Sequence, residues 1–206
     1  MRLGALLGLG VTLVGCAPLD LGPGTRALAL LDGAVVAQGP EGYCVDRRTS
    51  RPATGFAVMG GCAIIAALPI MPRTEALITV QFGGAESGAV EGREAALVAL
   101  LRSARGVALL SSDGQPEAIL VDGIEQAPGI VLVRFTDTGP PLVAGLEQVE
   151  WRAFLDLRGR LTTVSLRGFT RAPLGQARGL ELMAEAVATL RAANVAPVTD
   201  QGGDPG

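Results

Sequence analysis

The sequence predicts an α+β domain built on a mostly antiparallel sheet, with two main helices and a single disulfide-linked hairpin. Three observations carry that expectation. Hydrophobic residues make up 49% of the 206 residues and charged residues 18%, which supplies a real core and is too apolar for a disordered chain. Strand-like segments outnumber helical ones and run strands, helix, strands, hairpin, helix, so the helices are too few for strict β–α alternation. Cys44 and Cys62 flank a turn-rich loop between two strand-like segments, the arrangement of a cross-linked hairpin. Aromatic residues are only 3%, so Leu, Val and Ala must fill the core, and the length suits one domain.

Taken in order, Met1 and Arg2 give a short basic start, and residues 3–15 are apolar except for Thr12. That run is too short to span a bilayer, which needs about 20 apolar residues, and suits the core of a signal peptide. Residues 16–25 read as a tether, with two Pro and two Gly in 18–24. The domain is expected over 26–194. It opens with a strand pair, 28–31 and 34–38, around the turn signal Asp32-Gly33. Strands at 42–46 and 55–65 flank the loop 47–54, and a hairpin folding near Ala53 sets Cys44 opposite Cys62. A break at 69–72 precedes a strand at 76–82, rich in β-branched residues. A glycine-rich loop, 83–92, leads into a helix over 91–104. Strands are expected at 107–110, 118–122 and 129–135, with a turn at 111–114. In the last third, 149–157 and 160–166 flank Arg158-Gly159. If those two residues form the turn, Trp151 faces Leu166, Ala153 faces Val164 and Leu155 faces Thr162. A helix over 174–194 follows, with Leu180, Met183, Ala184, Val187 and Leu190 on one stripe. Residues 195–206 are a Pro/Gly/Asp tail expected to be disordered.

The apolar leader ends Leu13-Val14-Gly15-Cys16, which resembles the lipobox of bacterial lipoproteins: a Leu, a small residue, then an obligate Cys. The resemblance covers the first 16 or so residues. It implies cleavage before Cys16, diacylglycerol on the Cys16 sulfur and an acylated new amino terminus, with membrane attachment through the lipid. Gly15-Cys16-Ala17 also passes as an ordinary secretory cleavage site. Ala17 in place of Asp favours the outer over the inner membrane, by similarity to enteric lipoproteins. The final hairpin and helix, 149–194, resemble the ending of PsbP-like α/β/α sandwiches. Those pack helices on a curved antiparallel sheet and often serve as accessory or binding domains; no functional residue is carried over from them.

With Cys16 taken by the lipid, Cys44 and Cys62 form an even remainder in an oxidising compartment, so one disulfide is expected.

The chemistry is bounded by what is missing. His is 0, and all 17 basic residues are Arg. Ser-His-Asp and Cys-His catalysis, His-ligated metals, Schiff bases and a phosphate-loop lysine are thereby excluded. A net charge of -3 argues against a nucleic-acid footprint. Neither cofactor nor metal is expected. The glycine-rich loop lacks the G-x-G-x-x-G spacing and carries Glu86 and Glu91, which repel phosphate. Ser87 and Ser111 have no basic partner. Glu147 with Glu150, or Asp122 with Glu125, are the carboxylate pairs available for acid–base work. Arg47, Arg48 and Arg51 form the only dense basic cluster, suited to headgroups, another polyanion or an acidic protein patch, with Asp46 nearby. The expected function is a lipid-anchored, non-catalytic envelope domain facing the periplasm that binds an envelope protein or aids assembly. The alternatives are a hydrolase using acidic residues and a small-ligand or lipid-binding module.

Overall fold

The computed structural model describes residues 24–112, 114–140 and 143–195. Its strands, in chain order, are β1 (Gly24–Thr25), β2 (Ala27–Leu30), β3 (Val35–Gln38), β4 (Tyr43–Asp46), β5 (Phe56–Gly61), β6 (Leu77–Phe82), β7 (Ile119–Ala127), β8 (Ile130–Asp137), β9 (Leu146–Leu157) and β10 (Arg160–Phe169). The helices are α1 (Cys62–Ile65), α2 (Glu94–Leu101), α3 (Ala104–Leu110) and α4 (Gln176–Ala193). Eight strands form one antiparallel sheet in the order β1-β4-β5-β6-β10-β9-β8-β7, and β2 and β3 pair separately. The α+β class, the mostly antiparallel sheet and the single disulfide are as the sequence predicts.

The β9–β10 hairpin sets the frame. Its register matches Trp151 to Leu166, Ala153 to Val164 and Leu155 to Thr162, as the period-two pattern requires. Arg158 (φ 52°) and Gly159 (φ 69°) both adopt the left-handed conformation that a tight primed turn demands. One face of the sheet, with Val45, Met59, Ile78, Val80, Trp151, Leu155 and Leu166, is covered by α4 and the β2–β3 pair. The other face carries Val131, Val133 and Phe135 beneath α2 and α3 at the β7–β9 side. At the opposite side α1 folds over β4, where Cys44 and Cys62 are wholly buried.

Several expectations need correction. The segment expected as a strand at 107–110 lies in α3. Ser103 caps that helix by accepting a hydrogen bond from the Gly106 N–H, and Gly106 passes so close to the Leu100 carbonyl that any Cβ would collide. A third well-formed helix thus joins the two expected. The strand expected over 55–65 stops at Gly61. Cys44 is opposite Gly60, not Cys62, and the chain turns into α1 to bring Cys62 back over Cys44. The disulfide forms regardless (S–S 2.05 Å). The tether expected over 16–25 overlaps β1, whose two residues pair with β4. The strand begun near 118 continues to Ala127, past a register shift between Val121 and Gly123 that breaks its alternation. On α4 the buried stripe is Leu182, Met183, Ala186, Val187 and Leu190, while Ala184 faces solvent. The helix is wedged between β3 and the sheet, so its apolar face turns toward both. The Asn194 amide fixes this seat through Val36 N–H (2.9 Å), Val36 O (2.8 Å) and Leu190 O (2.8 Å). Cys16, the leader and residues 196–206 lie outside the described residues.

Candidate interaction surfaces

The predicted contact residues Arg47, Arg48 and Arg51 fall in the β4–β5 loop, and all three are exposed. The loop is held by its own backbone. The Asp46 carboxylate accepts from the Arg48 N–H and the Thr49 hydroxyl, both at 2.9 Å; the Ser50 hydroxyl accepts from Val58 N–H at 3.0 Å; and Arg51 N–H donates to Phe56 O at 2.8 Å. Asp46 therefore serves as a turn former. Gly24 pairs with Asp46 in antiparallel sense, so β1 begins at the end of the sheet that carries this loop. An added Cβ at Gly24 would lie 2.7 Å from Ile65, so β1 is seated against α1, beside the exposed Ile64.

The glycine-rich loop holds an anion, and that anion belongs to the protein. Asp156 accepts from the N–H groups of Ala89 (3.0 Å), Val90 (2.9 Å) and Glu91 (2.9 Å). These backbone donors pin the loop to β9. Ser87 donates to Gly84 O (2.7 Å) and accepts from Leu161 N–H (3.1 Å), a structural hydroxyl. Ser111 accepts from the N–H of Gln115, four residues on, at 3.0 Å.

The structure separates one of the expected carboxylate pairs and brings the other to one cavity. Glu147 and Glu150, three apart on β9, point to opposite faces. Glu147 accepts from Leu174 N–H (2.7 Å). Glu150, 4% exposed, accepts from Arg152 Nε (2.9 Å) and Nη2 (2.6 Å) and from Arg167 Nε (2.6 Å). Arg167 also approaches Asp137 at 3.5 Å, and Asp137 accepts from the Ser112 hydroxyl at 2.6 Å. Burial raises the Asp137 carboxyl, but the Ser112 hydroxyl, the Gly139 N–H and the Arg167 guanidinium outweigh it and hold it below its ordinary value. The Gly129 N–H similarly lowers Glu94. Asp122 pairs with Arg134 (2.9 Å), which stacks over Trp151; these residues and Glu125 line a cavity of about 110 Å³. Elsewhere, Tyr43 is buried and donates to Thr74 O, and burial pushes its phenol up.

One surface was not foreseen. An apolar cleft of about 340 Å³ opens between α2, α3 and the sheet, lined by Val90, Leu97, Leu100, Leu109, Phe154 and Leu161. Leu109 is 63% exposed and Leu100 37%. The signal is in the sequence. After Glu94, every residue of α2 is apolar, so no rotation of this helix can hide all of its hydrophobic side chains. By contrast α4 is amphipathic and buries its apolar stripe in the core.

Among the described residues no cluster of three or more metal-ligating side chains occurs, and no helix is long and apolar enough to cross a membrane. The class defined by this structure is an α+β domain with helices on both faces of an antiparallel sheet. No protein-family model matches the chain, and no curated protein matches it in sequence.

Proposed function

We propose that this chain is a bacterial envelope lipoprotein, anchored through lipid on Cys16, whose periplasmic domain binds a partner protein without catalysis. The observation that carries the binding role is the apolar cleft under α2, with Leu100 and Leu109 exposed at its rim. Exposed apolar groups clustered at a cleft suit protein contact. The sheet residues of the cleft, Phe154 and Leu161, lie on β9 and β10, on the face opposite α4. Four to five strand spacings of about 4.8 Å separate them from β1 by roughly 19–24 Å. A domain attached at β1 leaves this face free to engage an envelope protein. The Cys44–Cys62 disulfide suits an oxidising compartment.

A second reading, a module for a small apolar or lipid ligand, draws on the same cleft. Its volume is at the lower end of small-molecule sites, and its lining is apolar.

Metabolic labelling with a fatty-acid analogue tests the anchor. Label on the mature wild type and none on Cys16→Ser is the expected result. Recovery of unlabelled protein from the cytosol, with residues 1–15 attached, refutes the proposal. For the binding role, Leu100→Glu with Leu109→Glu should abolish cross-linking to a partner in intact envelopes while the fold persists. Cross-linking that survives these changes would exclude the cleft.

A further inference from the structure

We infer that the arginine-bearing loop end of the sheet is a docking surface for anionic phospholipid headgroups, held against the bilayer by the lipid anchor; this rests on the lipoprotein reading above. Three geometric facts converge. First, β1 runs antiparallel to β4 with Gly24 opposite Asp46, so β1 begins at the end of the sheet that carries Arg47 and Arg48. Second, Cys16 and Gly24 are eight residue steps apart, about 28 Å at full extension, so the loop cannot leave the neighbourhood of the lipid. Third, the loop end collects guanidinium groups from separate turns. The β4–β5 loop carries Arg48 and Arg51. The β9–β10 turn carries Arg158, and the pairing of β10 with β6, and of β6 with β5, places that turn at the same end. All three side chains are exposed. Asp32 and Glu86 are exposed at this end as well, so the contact is a modest electrostatic one.

The local build suits such a role. The backbone from Asp46 to Phe56 is fixed by the hydrogen bonds already described, and the disulfide closes the far end of the same pair of strands. The arginines therefore project from a rigid turn, and little order must be imposed on binding. Guanidinium forks match phosphate oxygens, which favours phospholipid headgroups over an uncharged surface. The lipid anchor raises the local concentration of headgroups, so a few weak contacts suffice to fix the orientation of the domain. Docked in this way, the β1 side and the loop end face the membrane.

The absence of Lys makes trypsin a clean probe, since it can cut only after Arg. The lipidated protein is reconstituted into vesicles of phosphatidylcholine alone, or of phosphatidylcholine with added phosphatidylglycerol, and digested briefly. Reduction follows, because Cys44 and Cys62 would otherwise hold the fragments of a cut at Arg47 or Arg48 together. Anionic vesicles should slow cleavage at Arg48 and Arg158 by roughly fivefold per headgroup contact, and high salt should abolish the protection. Cleavage at Arg73, exposed in the loop before β6 at the other end of the sheet, should be the same in both vesicles. Equal cleavage at Arg48 in both vesicles, with label present on Cys16, overturns this inference alone. Absence of label on Cys16 overturns the anchor and this inference together.

Discussion

Glu150 offers the most discriminating test of how this domain is held together. Its carboxylate is 4% exposed and takes three hydrogen bonds from the Arg152 and Arg167 guanidiniums, whose side chains are 18% and 12% exposed. Removing one partner from a buried ion pair typically costs about 3–5 kcal/mol, because the remaining charge is stranded away from water. In Glu150→Ala two cations lose their carboxylate, but neither is abandoned. Arg167 keeps Asp137 at 3.5 Å, and Arg152 keeps the Ser165 hydroxyl at 3.1 Å and the Leu109 carbonyl at 3.3 Å. The loss is therefore expected at the low end, about 3 kcal/mol. With a urea m-value near 2 kcal/mol/M, the unfolding midpoint falls by roughly 1.5 M. The decisive comparison is the triple variant Glu150→Leu, Arg152→Leu, Arg167→Met, which leaves only Asp137, still held by the Ser112 hydroxyl and the Gly139 N–H, and should be more stable than Glu150→Ala. Urea unfolding followed by circular dichroism, with m unchanged across the set, provides the measurement. A single variant within 0.5 kcal/mol of wild type (about a third of a tenfold step), or a triple variant as unstable as the single, would refute the role assigned to stranded charge.

Four further outcomes follow from the same structure. Replacing Cys44 and Cys62 by Ala opens a cross-link spanning 18 residues and should cost about 3 kcal/mol, read as a fall in Tm of roughly 6–12 °C; an unchanged Tm contradicts it. Gly179→Ala, on a helix where Ala is normally preferred, should instead destabilise by about 1–2 kcal/mol in urea unfolding, because its Cβ would lie 2.6 Å from the buried Trp151 ring. Asp156→Ala frees three backbone donors and should sharply raise hydrogen exchange at Ala89, Val90 and Glu91 while leaving β9 protected. Asp137 has a depressed folded pKa, so its contribution is complete above the unfolded value near 4 and is lost as pH falls through the lower folded value. Asp137→Asn should therefore be less stable at pH 7, and its stability should decline less steeply below about pH 4, as measured by urea midpoints across pH.

What the sequence revealed depended on the range of the interaction. The β9–β10 register was legible because alternation over two long segments leaves one pairing that buries Trp151, Ala153 and Leu155 together. The disulfide was legible from cysteine parity, but its register was not. Gly61 ends β5 and α1 returns Cys62 to Cys44, a local turn that the apolar run through Ile65 conceals. Residues 107–110 are a short apolar stretch whose periodicity fits strand and helix equally well. Ser103 and the close pass of Gly106 decide for helix, and that close pass exists only once α2 is in place. Of the proposed contact residues, the three arginines were identifiable by density alone, whereas their position beside β1 required the strand pairing. The cleft could have been found from α2, whose side chains after Glu94 are apolar all round. The Glu150 network draws Asp137, Glu150, Arg152 and Arg167 from three strands, and no local pattern marks it.

The carboxylates also bear on the choice between binding and hydrolysis. An acid-dependent hydrolase needs one carboxyl raised toward neutrality to donate a proton and a second, close by, kept ionised. Asp137 and Glu94 are both held below their ordinary values, by hydrogen-bond donors and, at Asp137, also by Arg167. Glu150, the most deeply buried glutamate, has its oxygens committed to two guanidiniums, and Asp156 has both of its oxygens committed to backbone N–H groups. Each of these acids neutralises or orders a neighbouring part of the fold. The polar interior thus stiffens the sheet between its two edges. The arginine loop end and the apolar cleft are the two exposed surfaces on which the proposed binding roles rest.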